Sequence, residues 1–509
     1  MASYNQTGAN NYGRQTIYIN RKESDLVNLR VDQLKKVLAT YIPLIVETHE
    51  ANKKRVRYLW DYYLGIQDIK DKVKYTRDEI NNKVVENWAY AIVDFKKAWQ
   101  LGNPIQYVMI NEADNEEISE LNKYVRFEGK EAKDQSLYED ILVTGRGFRY
   151  HAARKNPDIN EESPFEIFNV DRDSCEVIYS NGIGHEQLFS VILTDMKEII
   201  KVDEEEKENN FIELTIYLRN RKIVCQYRNG EIKWLRDQDE ILVLKEHIIT
   251  EYYVNRDRIS LIEIGKNLFD GINHLESMDF DDMEQYVNAL MVFTNAEVNE
   301  EELDEIKALG AVNIKSTENK KASVELLQSR LNATETQTFY TRLLVALHQI
   351  LGIPMATDSG TVTSGDTGKA KMTGQGYTSA GIRAKTDETM FKTCDNNALK
   401  IILKICRRAS GSKIKDLYAS EVECKMNRDM SDNLLVKTQG LMNLLGAGIP
   451  KEYAVPIISL FSDSNAVVVA MDKQEAKQKE EQANNPTTQT ANEQNNKINN
   501  IDEKTEQMQ

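Results

Sequence analysis

Between Ser260 and about Phe293 apolar residues recur at intervals of three and four, so that Leu261, Ile264, Leu268, Ile272 and Leu275 fall on one helical face. At 1.5 Å per residue such a helix is about 50 Å long, well beyond ordinary helix length. A second helical pattern, roughly Asn332 to Gly352, puts Leu343, Leu344, Leu347 and Leu351 on its apolar edge before Gly352-Ile353-Pro354 ends it. Between them NAEVNEEELDEIKALGAVNIKSTENKKASVELL (295–327) reads as a small unit of one short helix and one or two strands. Two helices joined through a small tip make a stalk.

The rest of the chain alternates between the two periods. From Asp25 to Tyr107 the pattern is helical, and in NWAYAIVDFKKAWQLGNPIQY (87–107) Ala91, Phe95 and Ala98 recur at helical spacing until Gly102 and Pro104 stop the helix. A short helical stretch covers 116–144. Residues 147–254 change to the strand period: FIELTIYL alternates Ile212, Leu214 and Ile216, and QYRNGEIKW places Asn229-Gly230 between two short strands as a hairpin turn. The acidic run DEEEKE (203–208) reads as a solvated loop. After 378 the chain is helical to about 408, with Phe391, Cys394, Ala398, Ile402 and Ile405 on one face. A strand at EVECKM (421–426) and helices between Asp432 and Asp472 follow. Residues 1–24 read as an unanchored arm, and the polar stretch from Lys473 onward is expected to be disordered. The fold class is α+β, mostly helical, with an antiparallel sheet.

Composition narrows the function. A hydrophobic share of 41% and a charged share of 29% in 509 residues describe a folded, water-soluble chain. No segment has the apolar length of a membrane span, and MASYNQTGANNYGRQ lacks a signal-peptide core, so the expected place of action is the cytoplasm where the chain is made. The five cysteines, Cys175, Cys225, Cys394, Cys406 and Cys424, are widely spaced and read as reduced, buried thiols. A net charge of -16 argues against tight nucleic-acid binding, whose affinity comes from Lys and Arg neutralising phosphates.

The stretch DSGTVTSGDTGKAKMTGQGYT (358–378) tests for enzymatic chemistry, because its glycines and Gly368-Lys369 suggest a phosphate-binding loop. Such a loop needs a glycine at 363 and a Ser or Thr at 370, a strand before it and a helix after it. Here 363 is Thr, 370 is Ala, and a helix end leads in. The histidines His49, His151, His185, His247, His274 and His348 show no paired spacing for a metal and read as surface or hydrogen-bonded core residues. The acidic cluster Glu276, Asp279, Asp281, Asp282 and Glu284 lacks the turn of a calcium loop and reads as a solvated helix face. No nucleophile comes with an identifiable base. No enzyme, no cofactor and no metal are expected.

With these residues in view, the chain resembles the portal proteins of tailed bacteriophages, specifically the SPP1-type portal family. The resemblance rests on YYLGIQDI (62–69), NWAYAIVDFKKAWQLGNPIQY (87–107), VTGRGFRYH (143–151), IEIGKNLFDGINHLESMDFDDMEQYVNALMVF (262–293) and TSGDTGKAKM (363–372), in that order, and covers about residues 40 to 470. It implies a ring, about twelve subunits around a channel for double-stranded DNA, at one capsid vertex of the virion after assembly in the host cytoplasm. By resemblance, 25–259 form the wing after the arm, 260–293 and 328–352 the stem helices, and 294–327 the clip. Residues 353–377 would be the tunnel loop, 378–428 a long helix and wing return strand, 429–472 the crown, and 473–509 the tail. Thr361, Thr363, Ser364, Asp366, Thr367, Lys369 and Lys371 would face passing DNA without reading its sequence. Glu300, Glu301, Glu302, Asp304, Glu305, Lys315, Lys320 and Lys321 would form the docking surface for terminase and the head-completion adaptor. Scaffolding and major capsid proteins are further implied partners, and no membrane is involved. The competing readings are an ATP-driven nucleic-acid motor subunit, which needs a working phosphate loop, and a capsid assembly or scaffold protein, which needs no channel.

Overall fold

The computed structural model describes residues 15–75, 78–110, 116–202, 205–287, 290–294, 323–327, 333–355, 376–426, 434–458 and 464–484. Strand β1 (Ile17–Ile19) and helix α1 (Glu23–Val27) precede the long α2 (Val31–Tyr63). Next come α3 (Trp88–Leu101), β2 (Gln106–Met109), α4 (Glu116–Phe127) and α5 (Lys130–Thr144). The strand-rich middle holds β3 (Gly147–Ala153), β4 (Phe165–Val170), β5 (Cys175–Ser180), β6 (Gln187–Val202), β7 (Glu205–Leu218), β8 (Arg221–Arg228), β9 (Glu231–Trp234), β10 (Glu240–Ile241) and β11 (Ile249–Tyr252). The last third is α6 (Leu261–Val287), β12 (Leu290–Thr294), β13 (Ser323–Leu327), α7 (Ala333–Leu351), α8 (Tyr377–Arg408), β14 (Val422–Lys425), α9 (Leu434–Gly446), α10 (Lys451–Ile458) and α11 (Ser464–Asn484).

A seven-stranded sheet in the order β1-β5-β6-β7-β8-β10, with β9 beside β8, packs one face against α2. Leu34, Leu38, Ile42 and Ile45 of that helix meet Val191, Leu193, Leu214 and Ile216 of the sheet. The alternation in FIELTIYL decides this face, since Leu214, Ile216 and Leu218 are buried at every second residue. Asn229 and Gly230 both take positive φ, +47° and +87°, giving the two-residue turn expected between β8 and β9. A three-stranded sheet, β11-β3-β4, lies against α5. Gly145 caps α5 at φ +89°, where a Cβ would lie 1.9 Å from the Arg258 carbonyl oxygen; only glycine lets the chain turn there into β3.

The largest core gathers the end of α2, α3, α5, α6 and α8 with the β2-β14 pair. Phe391, Cys394, Ala398, Ile402 and Ile405 of α8 are all buried in it, as their spacing predicts. All five cysteines are free and buried. Among the described residues no helix is long and apolar enough to cross a membrane.

Several expectations fail for identifiable reasons. The N-terminal segment is anchored from Gln15 onward: Asn52 accepts from the Gln15 N–H (2.8 Å) and donates to its carbonyl (3.0 Å), and β1 pairs in parallel with β5. The buried face of α3 is Ala89, Ile92, Val93, Gln100 and Leu101, while Ala91 and Ala98 are exposed. Alanine is too small to decide a face against larger apolar neighbours. Helix α6 ends at Val287, and Leu290–Thr294 is a strand paired with β13, because the β-prone LMVFT finds a partner the period did not reveal.

Glu205–Glu208 of the acidic run belong to β7, paired with Ile199–Val202. A ladder needs only backbone partners, and a two-stranded ribbon has no covering layer that would penalise charge. Residues 473–484, expected to be disordered, continue α11, where Lys451 pairs with Asp472 (2.8 Å) and Glu475 (2.6 Å). Low hydrophobicity there removed packing, but Ala, Glu, Gln and Lys are strong helix formers. His151 is fully buried, with the Ile248 backbone beside its ring and no side-chain partner for either ring nitrogen among the described residues. Burial, then the nearby Arg149 charge, lowers its pKa to about 3.

Candidate functional site

The residues singled out in the sequence, Thr361 to Lys371 and the charged set from Glu300 to Lys321, lie outside the described residues. What the structure describes is the frame that carries both segments: the α6-α7 pair, the β12-β13 ribbon at one end of it, and the junction with α8 at the other.

Helices α6 and α7 run antiparallel. Gly265 faces Leu351 and Gly271 faces Leu343, with a Cβ at these glycines 3.1 and 3.9 Å from the leucine methyls. At 27 residues, α6 is about 40 Å long. Of its predicted stripe, Ile272 is fully buried and Leu268 packs at the edge of the core with Leu343 and Leu344, but Ile264 is half exposed. A neighbouring face is buried instead, and it carries Asn273, Ser277 and Asp281.

That polar face is read by an extended strap. The N–H groups of Glu86, Val84 and Asn82 donate to Asn273 Oδ1 (2.9 Å), Ser277 Oγ (3.0 Å) and Asp281 Oδ1 (2.6 Å). The match is geometric: four residues advance a helix about 6 Å, and two residues advance an extended chain about 6.7 Å. Helix residues spaced by four therefore meet alternate strand amides. Asp281, in the cluster expected to be a solvated face, is buried and also accepts from Lys72 (3.0 Å) and Lys74 (3.2 Å). Burial pushes its pKa up, but the Asn82 amide and the two ammonium groups outweigh this and lower it to about 2. Tyr340 of α7 donates to Glu86 (2.7 Å), so the strap ties both helices.

At the other end, Gly352 leaves α7 at φ +68°, pressed against the Arg383 side chain, whose Nη1 donates to the Ile350 carbonyl (2.8 Å). The Ile353 N–H donates to the His348 carbonyl (2.9 Å), and His348 Nδ1 lies 3.0 Å from the Pro354 carbonyl. Gly376 opens α8 at φ +84°, and a Cβ there would be 3.8 Å from Pro354 Cα. The two flanks of segment 356–375 thus sit side by side. Aromatic rings brace them: Trp88 against His348, and Phe95, Trp99 and Tyr377 in succession. Of these bracing residues only Phe95 and His348 were named from the sequence, neither of them as a brace, although the aromatic density of NWAYAIVDFKKAW is visible there.

Helix α8 is locked by one carboxylate. Asp395 accepts from Tyr107 (2.7 Å) and Tyr252 (3.0 Å) and pairs with Lys130 (3.2 Å), which pairs with Asp134, itself bound by Arg149 (2.6 Å). Burial disfavours the charge on Asp395, but Lys130 and the two hydroxyls lower its pKa overall. Lys130, Asp134, Arg149 and Asp395 are each at least 98% buried, so this titratable cluster offers no entrance to a substrate. A second buried set joins Arg146 and Arg258 to Glu251, which burial pushes up and the two guanidinium groups bring down to about 2. Among the described residues no group of His, Cys, Asp and Glu is placed to hold a metal.

A profile of the family described as phage portal protein, SPP1 Gp6-like, matches residues 44–486, which include the strap, both helices of the pair and α8. The chain belongs to this family. The family is one of structural rather than catalytic proteins, and membership places this portal chain in a phage virion. The portal chain is also similar to a chain in a solved virion of a native gene transfer agent particle, at 13% identity and a TM-score of 0.37, over 71% of this chain and 85% of that one. No curated protein matches it.

Proposed function

We propose that copies of this portal chain form a ring of about twelve at one capsid vertex, the conduit through which double-stranded DNA is packaged and later ejected. The reading is carried by one observation: a long antiparallel helix pair ends where the two flanks of a Gly-rich segment meet. That geometry suits a loop projecting into a channel, since its anchors sit side by side and the sequence between them is rich in Gly, whose backbone is the least restricted. In this assignment α6 and α7 are the stem, 294–327 the clip, 353–377 the tunnel loop, the segments before α6 together with α8 and β14 the wing, and 429–472 the crown. Thr361, Thr363, Ser364, Asp366, Thr367, Lys369 and Lys371 meet the duplex singly and transiently. The acidic net charge favours passage over retention, because each Lys or Arg bound to phosphate has to be released as the DNA moves. The clip, whose sequence carries Glu300 to Glu302, Asp304, Glu305, Lys315, Lys320 and Lys321, is the docking surface for terminase and adaptor.

Electron microscopy of the purified protein, viewed down the symmetry axis, tests the ring: about twelve subunits around a hole of about 20 Å are expected. Small oligomers without a channel at high protein concentration would overturn the reading. Deleting 361–367 is expected to leave rings intact and to impair DNA packaging; loss of ring formation on deletion would remove the loop from the channel lining.

A further inference from the structure

Helix α2 ends in a turn that presents apolar side chains to solvent. Gly65 takes φ +89°, its N–H donates to the Tyr62 carbonyl (3.1 Å), and the Ile66 N–H donates to the Asp61 carbonyl (2.8 Å), the two bonds of a Schellman cap. In such a cap the residue at the place of Ile66 commonly packs back on the last helical turn. Here it bonds back to an Asp, and Ile66 stays more than half exposed. Leu64 and Tyr90 are exposed beside it: Tyr90 stacks on Tyr63 (ring centroids 5.3 Å apart), and Asn87, which caps α3, donates to the Tyr63 carbonyl (2.9 Å). The buried Gln67 pins the turn by donating to the Tyr62 carbonyl (3.1 Å) and to Asn87 Oδ1 (3.0 Å).

A second exposed apolar pair lies where α7 meets α8. Arg383 donates to the Ile350 carbonyl (2.8 Å), and Ile350 and Ile382 are both at least half exposed. The two patches stand at opposite ends of one row of side chains. Tyr90 and Trp88 are two residues apart, so they point about 200° apart around α3, the first to Tyr63 and the second to His348. On α7, His348 and Ile350 are again two residues apart, so Ile350 points away from α3, two helix diameters or about 20 Å from Tyr90. The rims of the patches carry opposite charge. Asp61 and Asp94 are exposed beside the first, Arg383 and Lys385 beside the second. Asp61 and Lys385 make no ion pair among the described residues, and Asp94, 3.4 Å from Lys97, keeps half its side chain exposed. The carboxylates nearest Lys385, Asp387 and Glu388, are held by Lys96 (3.8 Å) and Lys392 (2.6 Å).

We infer that the Leu64-Gly65-Ile66 turn of one copy, with Tyr90, docks on Ile350 and Ile382 of the next copy, its Asp61 and Asp94 meeting Arg383 and Lys385. This rests on the ring reading and adds a contact that orients neighbours. A contact between two different patches at opposite ends of a chain repeats head to tail, as a ring requires. An apolar centre with a rim of opposite charges supplies both attraction and register. The turn is already held in shape by hydrogen bonds within its own chain, so docking orders little that was free before.

The test places cysteines at the two patches of the full chain. All five native cysteines are buried, and burial pushes the thiols of Cys225, Cys394 and Cys406 up to about 12, so a bis-maleimide linker reacts at the introduced sites in the folded protein. Ile66→Cys together with Ile382→Cys is expected to give a ladder of linked copies, and either substitution alone none. Linked dimers from Ile66→Cys alone would mean that the turn meets its own counterpart and would overturn the contact. No ladder from the double variant would overturn it too; if the particles are still closed rings by electron microscopy, the ring reading survives that failure. A ladder supports the contact whatever the particle shape, and microscopy of the parent decides separately whether rings close. As a second measurement, Leu64→Ser with Ile66→Ser, shown by circular dichroism to fold as the parent does, is expected to weaken association about tenfold or more in sedimentation velocity, because two apolar side chains lose their burial. Association equal to that of the parent would overturn the contact. So would normal association with loss of incorporation into heads, which would assign the turn to another virion protein.

Discussion

Helices α6 and α8 both lead to the same junction, yet they are held in opposite ways. Helix α8 is seated by an unbroken apolar stripe, Phe391, Ala398 and Ile402 among it, with a single buried carboxylate at Asp395. Helix α6 turns a polar ladder, Asn273, Ser277 and Asp281, to the strap and meets α7 through glycines and leucines. Apolar burial is strong and non-directional, so it fixes that α8 is buried more than where along its axis. Hydrogen bonds to successive amides are individually modest but specify one register. The α8 side is built for strength and the α6 side for position.

The largest expected effect lies on the α8 side. Replacing Asp395 with Ala leaves the buried Lys130 short of a counter-charge and two hydroxyls unbonded, and should lower stability by about 3–5 kcal/mol. Phe391→Ala should cost a similar amount through the cavity alone, about 3–5 kcal/mol. Urea unfolding monitored by tryptophan fluorescence measures both, and a loss under 1 kcal/mol for either would remove the distinction drawn above.

Acid should then separate the two helices. His151, on a strand beneath α8, has a folded pKa of about 3 against an ordinary 6.5, so the fold excludes its proton. Its contribution is fully present above pH 6.5 and is lost as pH falls toward 3, reaching about 2 kcal/mol by pH 5. Asp281, at about 2 against 3.8, keeps its contribution until pH falls below about 4 and loses it toward 2. Hydrogen exchange at pH 5 should therefore rise on α8 before it rises on the strap. His151→Phe should flatten the stability profile between pH 7 and 5, and an unchanged profile in that variant would count against the assignment.

The smallest effect is the most specific. Ser277→Ala removes one acceptor and should cost about 1 kcal/mol. The Val84 amide should exchange faster while the buried turns of α8 are unaffected, and uniform acceleration would mean that the ladder does not act rung by rung.

Much of this organisation was legible in the chain. The stripe of α8 and the Asn229-Gly230 turn needed only local spacing, and the paired helices with a Gly-rich segment after the second were visible as a pattern with a resemblance to a family. Other features were not legible. Asn52 anchoring the backbone of Gln15 gives no periodic signal, because an amide in a helix reads as surface until its partner is known. Ala91 and Ala98 suggested the wrong face of α3, and the acidic run hid a strand whose pairing is made by backbone alone.

The sequence by itself determined where the strongly periodic helices and strands lie and which family their order matches, because side-chain period and turn chemistry act over a few residues; it did not place the strands at Leu290–Thr294 and Glu205–Glu208 or the helix over 473–484. Only the tertiary structure decided which face of α6 is buried. Asn273, Ser277 and Asp281 become buried through amides 187, 193 and 199 residues away along the chain, and no local rule makes a polar face an inner one. The same holds for the corner where Arg219 reaches the Lys245 carbonyl and Arg408 the Val243 carbonyl, which is assembled from segments that meet only when the chain is folded.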